Sequence, residues 1–246
     1  MARREYFEQN GFVTVPGFCE PDEVEKLLRA LDAFIDEDLN GLPREHVFLE
    51  DISEPESLKQ IQNLHTHSSF FDGWMNDRPK KLAAELLGEP VRAVNLQYFN
   101  KAPGRNQPTP PHQDGYYFML NPCAAVTHWL ALDPVDEENG CIRYVPGSNC
   151  HGLRQHHQTG TLGFSQGIDD YGADDLELER MCPAQPGDLL AHHANTIHRA
   201  DGNGSAHRQR RALGCIFYGA SAREDAAAHA AYQELLSQKM KAAGRI

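Results

Sequence analysis

No CxxC pair occurs among the six cysteines, at positions 19, 123, 141, 150, 182 and 215. Neither a zinc ribbon nor a disulfide framework is therefore suggested, and the thiols read as ordinary buried residues. Basic residues are scarce: 23 Lys and Arg stand against 35 Asp and Glu, for a formal net charge of -12. That balance argues against a nucleic acid or an anionic membrane surface as partner, because such binders present a basic face. A small molecule is the natural partner, and no obligate protein partner is evident. No apolar run is long enough to span a bilayer, the start MARREYFEQNGF has no apolar h-region, and the end AAGRI is no peroxisomal address. A soluble, cytoplasmic protein is expected. Internal repeats and low-complexity linkers are also lacking, so the 246 residues, 40% hydrophobic and 24% charged, are expected to form one domain (1–246).

What is present divides by periodicity. Over about 1–90 the chain reads as helical. CEPDEVEKLLRALDAFI puts Pro21 near a helix start and spaces Val24, Leu27, Leu28, Leu31, Phe34 and Ile35 along one face. RPKKLAAELLGE predicts a second helix, opened by Pro79 and closed by Gly88. Between them, the 41–70 stretch reads as a functional loop with a short helix around Leu58 to Gln62. Over about 91–220, β-rich runs alternate with turn residues: VRAVNLQYF, AVTHWLAL, CIRYVPG, GDLLAHH, NTIHRA and RRALGCIFYGA. This is the pattern of an antiparallel sandwich or barrel. The Ala-rich end, about 221–243, predicts a helix with Ala228, Tyr232 and Leu235 on one side, covering a barrel edge or a neighbouring subunit.

Chemistry concentrates in TPPHQDGYYF, Thr109–Phe118. Strand side chains alternate, so His112 and Asp114 are expected to project to one side and Gln113 to the other. An imidazole beside a carboxylate is either a polar surface pair or two ligands of a metal. A third ligand must come from another strand, and AHHANTIHRA offers His192, His193 and His198. A 2-His-1-carboxylate set leaves three coordination positions open, as in non-haem Fe(II) enzymes that activate oxygen. In RRAL, a strand beginning at Arg210 continues its face through Ala212 and Gly214. These small neighbours leave room for a carboxylate beside the guanidinium fork. Arg211 shares its face with Leu213, Cys215 and Phe217; the alternative is that both arginines are solvated strand ends.

With His112, Asp114, His198 and Arg210 in this order, the chain resembles the phytanoyl-CoA dioxygenase family of Fe(II)- and 2-oxoglutarate-dependent oxygenases. The pieces that carry the resemblance are YFEQNGFVTVPGF, PPHQDGYYF, THWLALDPVDEENGCIRYVPGSN, GDLLAHHANTIHRADGNGS and RRALGCIFYGAS, spread over nearly the whole length. The resemblance implies a double-stranded β-helix, or jelly roll, with helices packed against it. It implies Fe(II) on His112, Asp114 and His198, with 2-oxoglutarate and O2 as co-substrates. Arg210 would clamp the far carboxylate of 2-oxoglutarate, and Trp129 would line the same pocket unless it is a plain core aromatic. Gln97 and Lys101, on one face of NLQYFNK, are placed there too.

His193 stands where relatives often have a non-ligating histidine and is expected to support the site or to pack; His192 is expected to be exposed. Asn149, in PGSN, departs from the more usual PGSH. His46, Tyr116 and Tyr117 are candidates for shaping the substrate pocket, though structural roles also fit them. The retained Asp114 favours oxygen insertion over halogenation, which in relatives needs a small residue at that position. Two rival readings remain: a non-catalytic metal-binding jelly roll, and a cupin-like metalloenzyme that does not use 2-oxoglutarate. Relatives act on acyl-CoA thioesters, compatible solutes, phosphonates and secondary metabolites, and the acidic charge disfavours a CoA thioester.

Overall fold

The apolar stripe of the first long helix decides where the outer core forms. The computed structural model describes residues 1–104 and 107–242, apart from the side chains at 233, 239 and 240. Positions 243–246, where the expected last helix and the AAGRI stretch end, lie outside the described residues. After α1 (Arg3–Asn10) and β1 (Phe12–Val15), α2 (Pro21–Glu37) begins on Pro21, whose missing N–H costs nothing there, and buries Val24, Leu27, Leu31 and Phe34. The next strands are β2 (Val47–Leu49) and β3 (Leu58–Ile61). Three helices follow: α3 (Leu64–His67), α4 (Ser69–Met75) and α5 (Arg78–Leu87). Gly88 ends α5 at a φ of 69°, a conformation that favours glycine.

The remaining strands are β4 (Val91–Asn100), β5 (Thr109–His112), β6 (Ala125–Ala131), β7 (Ile142–Tyr144), β8 (His156–Gln158), β9 (Gln166–Ile168), β10 (Arg180–Cys182), β11 (Leu189–His193), β12 (His198–Ala200) and β13 (Arg211–Gly219). Short helices α6 (Gly115–Phe118) and α7 (Ala173–Leu178) interrupt them, and α8 (Ala226–Ala242) closes the described chain. One sheet runs β1-β11-β6-β13-β4-β3-β2 and a second β10-β7-β12-β5, with β8 and β9 as a separate ribbon. The strand pairings within them are antiparallel. Two facing antiparallel sheets with packed helices make a jelly roll, the double-stranded β-helix expected from the sequence.

Strand alternation splits the core in two. On the outer face of the large sheet, Leu96, Leu130, Leu189, Leu213, Cys215 and Phe217 pack with the helical residues Leu27, Phe71, Met75 and Leu86. Between the sheets, Phe12, Trp129, Ala131, Leu190 and Ala212 meet Ile142, Tyr144 and Cys182. The Phe12 and Tyr144 rings stack at 4.6 Å, tying one sheet to the other. Four cysteines are buried, Cys123 is half-buried, and Cys150 is exposed, contrary to the expectation that all six are buried.

The 41–70 stretch departs from expectation. Leu58–Ile61 is a strand, not a short helix: Gln60 and Ile61 pair with Phe99 and Tyr98 of β4, and β2 pairs outside it. All four residues of β3 are buried, so polar Lys59 and Gln60 mask the alternation that would have identified it. In α8, Leu235 is 44% exposed, whereas His229, Tyr232 and Leu236 line the central cavity. The face expected at Ala228, Tyr232 and Leu235 is therefore rotated. Among the described residues no helix is long and apolar enough to cross a membrane.

One outer-core residue is out of character. His128 sits opposite Ala191 and Cys215, with its ring 5.2 Å from Phe217, and neither ring nitrogen has a hydrogen-bond partner. Burial, then the nearby His192, pushes it down to about 3. Between that value and the ordinary imidazole value the unfolded chain binds the extra proton, so stability falls as pH drops from about 6.5 toward 3. His128→Leu removes both the orphan nitrogens and this slope. We expect a gain of about 1–3 kcal/mol at pH 7 and a larger one at pH 5, read from thermal melts at the two values. An equal gain at both would exclude the proton linkage.

Candidate active site

The sequence PPHQD puts two prolines where a strand can tolerate them. β5 is an edge strand of the small sheet, so the missing N–H groups of Pro110 and Pro111 break no central ladder. Opposite it, β12 places His198 directly across from His112, with ring centroids 4.2 Å apart. Asp114 does not continue the strand. It has helical dihedrals (φ -57°, ψ -34°) and caps α6, so a turn, not strand alternation, brings its carboxylate beside the histidines. Gln113 does point away. Its amide donates to the carbonyls of Gly152 (2.8 Å) and Asn195 (2.7 Å), and its Oε1 accepts from the Arg154 N–H (2.8 Å), stapling the turn.

Hydrogen-bond directions determine which atoms face the centre. His112 Nδ1 lies 2.8 Å from the Pro110 carbonyl and His198 Nδ1 lies 3.0 Å from that of Thr196. A carbonyl only accepts, so both Nδ1 atoms donate outward and both Nε2 atoms are turned to the centre. Those atoms lie 3.4 and 3.7 Å from Asp114 Oδ1, and one ligand atom from each residue lies within 4.8 Å of the others. The other carboxylate oxygen, Oδ2, accepts from the Thr127 hydroxyl at 2.6 Å. Burial alone would raise Asp114, but His112, His192 and His198 hold it well below the usual carboxylate range. Burial, then His112 and His192, keeps His198 well below the ordinary imidazole range and hence neutral. Two imidazole nitrogens and one carboxylate oxygen at this spacing fit a divalent cation and leave one face open.

Arg210 faces the same cavity, of about 780 Å³, just before β13. It is 4% exposed, its guanidinium lies over the Trp129 ring at 5.3 Å, and its Nε has no hydrogen-bond partner. Burial pushes it down to about 10, slightly offset by Cys141, so it stays charged at neutral pH. No ion pair to Arg210 occurs among the described residues, so its guanidinium is free to bind an anion entering the cavity. The residues expected to leave room beside it do so only in part: a side chain at Gly214 would meet the Phe99 ring at 2.6 Å, so Phe99 fills that space. Arg211 is no solvated strand end; it pairs with Asp133 at 2.8 Å on the other face.

Gln97 and Lys101 line the cavity as well. Gln97 Oε1 accepts from Gln60 Nε2 at 3.3 Å, while Lys101 Nζ donates to the Ala200 and Asp201 carbonyls. Burial, then the like charges of Arg210 and Lys59, lowers Lys101 well below the usual lysine range. His46 and Tyr117 reach the cavity; Tyr116 does not line it and stacks on His156 at 4.2 Å. His193 is turned outward against Phe7 (6.3 Å) and packs. Asn149 donates from Nδ2 to the Glu8 carbonyl, holding the PGSN turn to α1.

His192 contradicts the expectation of exposure. It is 2% exposed, and its Nε2 donates to Asp114 Oδ2 at 3.1 Å. Its strand partner Thr127 reaches the same oxygen, a neighbourhood that pairing β11 with β6 would have revealed.

A jelly roll whose cavity gathers two imidazoles and a carboxylate, with a buried unpaired arginine on the same wall, is the layout of 2-oxoglutarate-dependent non-haem iron oxygenases. The family model described as Phytanoyl-CoA dioxygenase (PhyH) matches residues 7–212, and the chain belongs to the phytanoyl-CoA dioxygenase family. Iron and 2-oxoglutarate are accordingly its cofactor and co-substrate. It is 28% identical over 211 residues to the 1-deoxypentalenic acid 11-beta-hydroxylase of Streptomyces arenae, covering 79% of this chain and 72% of that protein. It is 23% identical over 233 residues to the peroxisomal phytanoyl-CoA dioxygenase of Mus musculus, covering 88% and 68%. The crystal structure of the epimerase SnoN in complex with Fe3+, alpha ketoglutarate and nogalamycin RO is similar in fold, with a TM-score of 0.72, 22% identity and coverage of 90% of this chain and 84% of that one.

Proposed function

We propose that the chain works as one catalytic domain in which His112, Asp114 and His198 hold Fe(II) and Arg210 anchors 2-oxoglutarate, for the hydroxylation of a C–H bond in a small molecule with release of succinate and CO2. The observation that carries this reading is the convergence, in one cavity, of three closely spaced ligand atoms and a buried guanidinium with no ion-pair partner among the described residues. A metal-binding scaffold explains the first and not the second, and so does a cupin-like enzyme that needs no 2-oxo acid. When bound, iron and 2-oxoglutarate supply the activation of dioxygen. Arg210 orients the diacid, with Trp129, Phe99, Gln97 and Lys101 walling that end. The ionised Asp114 carboxylate retains the oxygen ligand that favours insertion over halogenation.

The rest of the cavity supports a substrate with an uncharged, largely apolar body. Val94, Tyr117, Phe118, Ile216 and Tyr218 line it beyond the metal-facing atoms. Several of its polar groups are already engaged: Tyr117 O–H with the Gln166 carbonyl, Tyr232 O–H with Ser165, and Glu224 with His229 and Arg92. The name of the Streptomyces arenae relative supports hydroxylation as the outcome.

The test is direct. Anaerobic addition of Fe(II) and 2-oxoglutarate is expected to produce the visible charge-transfer band of a chelated 2-oxo acid, and admission of air to produce succinate. Uncharged apolar metabolites should accelerate succinate formation, and CoA thioesters should not. A protein with neither band nor succinate would sink the reading.

A further inference from the structure

The buried His192 is not one of the three donors, yet its proton reaches one of them. We propose that His192 is a positioning residue which, with Tyr144 and Thr127, fixes the Asp114 carboxylate so that only Oδ1 faces the metal; this rests on the reading of His112, Asp114 and His198 as iron ligands.

The argument is one of donors and acceptors. Oδ2 of the ionised Asp114 can only accept, so the 3.1 Å contact requires the proton on His192 Nε2. In the neutral ring Nδ1 then accepts, and the Tyr144 hydroxyl 3.0 Å away must be its donor. Thr127 donates to the same Oδ2 at 2.6 Å. The relay therefore runs Tyr144 to His192 to Asp114, with every hydrogen bond pointing toward the carboxylate.

Two donors saturate Oδ2 and leave Oδ1 turned to the Nε2 atoms of His112 and His198. The carboxylate is thereby restricted to one oxygen toward the metal. A rotation that offered both oxygens would break both hydrogen bonds in a buried site. It would also use a position needed for the 2-oxo acid or dioxygen.

The supports come from rigid pieces of the fold. His192 and Thr127 are strand partners on β11 and β6. Tyr144 is fully buried on β7, where it is the strand partner of His198 and stacks on Phe12. One tyrosine thus touches the network from the sheet opposite His192, so the position of the carboxylate reports the spacing between the two sheets. Outer groups that orient a metal's ligands typically contribute about 10- to 100-fold to metal affinity.

The experiment compares His192→Phe, which keeps an aromatic ring without a donor, with His192→Gln, whose amide can still donate to Oδ2. Fe(II) affinity is read by anaerobic titration against a competing chelator, and the charge-transfer band with 2-oxoglutarate gives a second readout. Far-UV circular dichroism and Tm without metal report folding. We expect His192→Phe to bind Fe(II) about 10- to 100-fold more weakly and to shift the band while keeping the fold. His192→Gln should recover most of both, and Thr127→Val should resemble His192→Phe. Wild-type affinity and band in His192→Phe would overturn the proposal, as would a His192→Gln protein no better than His192→Phe, since the residue would then only fill space. Absence of the band in the wild-type protein would instead overturn the iron-site reading, a failure visible before any variant is made.

Discussion

Asp114→Ala is expected to abolish Fe(II) binding and all succinate formation, at least about a thousandfold below wild type. The reason is partly the count of donors and partly charge. Two neutral imidazoles remain, and a divalent cation in a water-poor cavity then has no anionic ligand to balance it. The variant also strips the acceptor from Thr127 Oγ1 and His192 Nε2, both buried, at a cost of about 1–3 kcal/mol for each group left unpaired. A loss of activity could therefore arise from loosened structure. Asp114→Asn separates the two effects because it keeps the volume. Its amide nitrogen can face Thr127 and His192, with the His192 proton moved to Nδ1 and Tyr144 accepting. This variant should melt close to wild type without metal and still bind Fe(II) at least about 100-fold more weakly, because what it lacks is the negative charge. Iron content after anaerobic loading, with Tm of the metal-free protein, checks both variants. A fully iron-loaded Asp114→Ala protein would remove Asp114 from the ligand set.

The parts of this centre that can be read from the chain are those governed by short-range rules. His112 and Asp114 are two residues apart, and Arg210 shares a face with Ala212 and Gly214 by strand alternation, which the register opposite Ala131 and Trp129 reproduces. The helix start at Pro21 and the helix stop at Gly88 are equally local. Other features depend on which strands become neighbours. Alternation puts His192 and His193 on opposite faces but does not say which one faces the site, because a turn separates β11 from β12 and phase is not carried across it; the environment of His192 is set by β6 and β7. Asp114 reaches its neighbours through a turn into α6, so the strand argument arrives at the right side of the molecule by the wrong path. Phe99 occupies the space beside Gly214 from β4, more than a hundred positions earlier in the chain. The β3 strand is hidden for a related reason: its polar residues are buried by tertiary packing, and no local pattern announces that.

Arg210→Met should move function and stability in opposite directions. A buried guanidinium bound to a carboxylate loses about 2–4 kcal/mol when truncated, equivalent to roughly 30- to 700-fold in the 2-oxoglutarate Kd. Iron affinity should change little, because Arg210 is not among the donor atoms grouped around Asp114. Without the diacid, however, the same guanidinium is a liability. It is 4% exposed, its Nε is unpaired among the described residues, and the Trp129 ring at 5.3 Å offsets the loss of hydration only in part. A flexible apolar chain of similar length retains the contact with Trp129 and removes the desolvated charge. The ligand-free variant should therefore melt higher than ligand-free wild type, by a few degrees if the gain is about 1–2 kcal/mol. Saturating 2-oxoglutarate with Fe(II) should raise the wild-type Tm well above its ligand-free value and leave the variant nearly unmoved, since stabilisation by a ligand follows its affinity. The crossing of the two melting curves is the diagnostic result. A structural arginine that merely braces the wall would give a variant less stable in both conditions, with an unchanged ligand-induced shift, and Arg210 would then no longer be the anchor of the diacid.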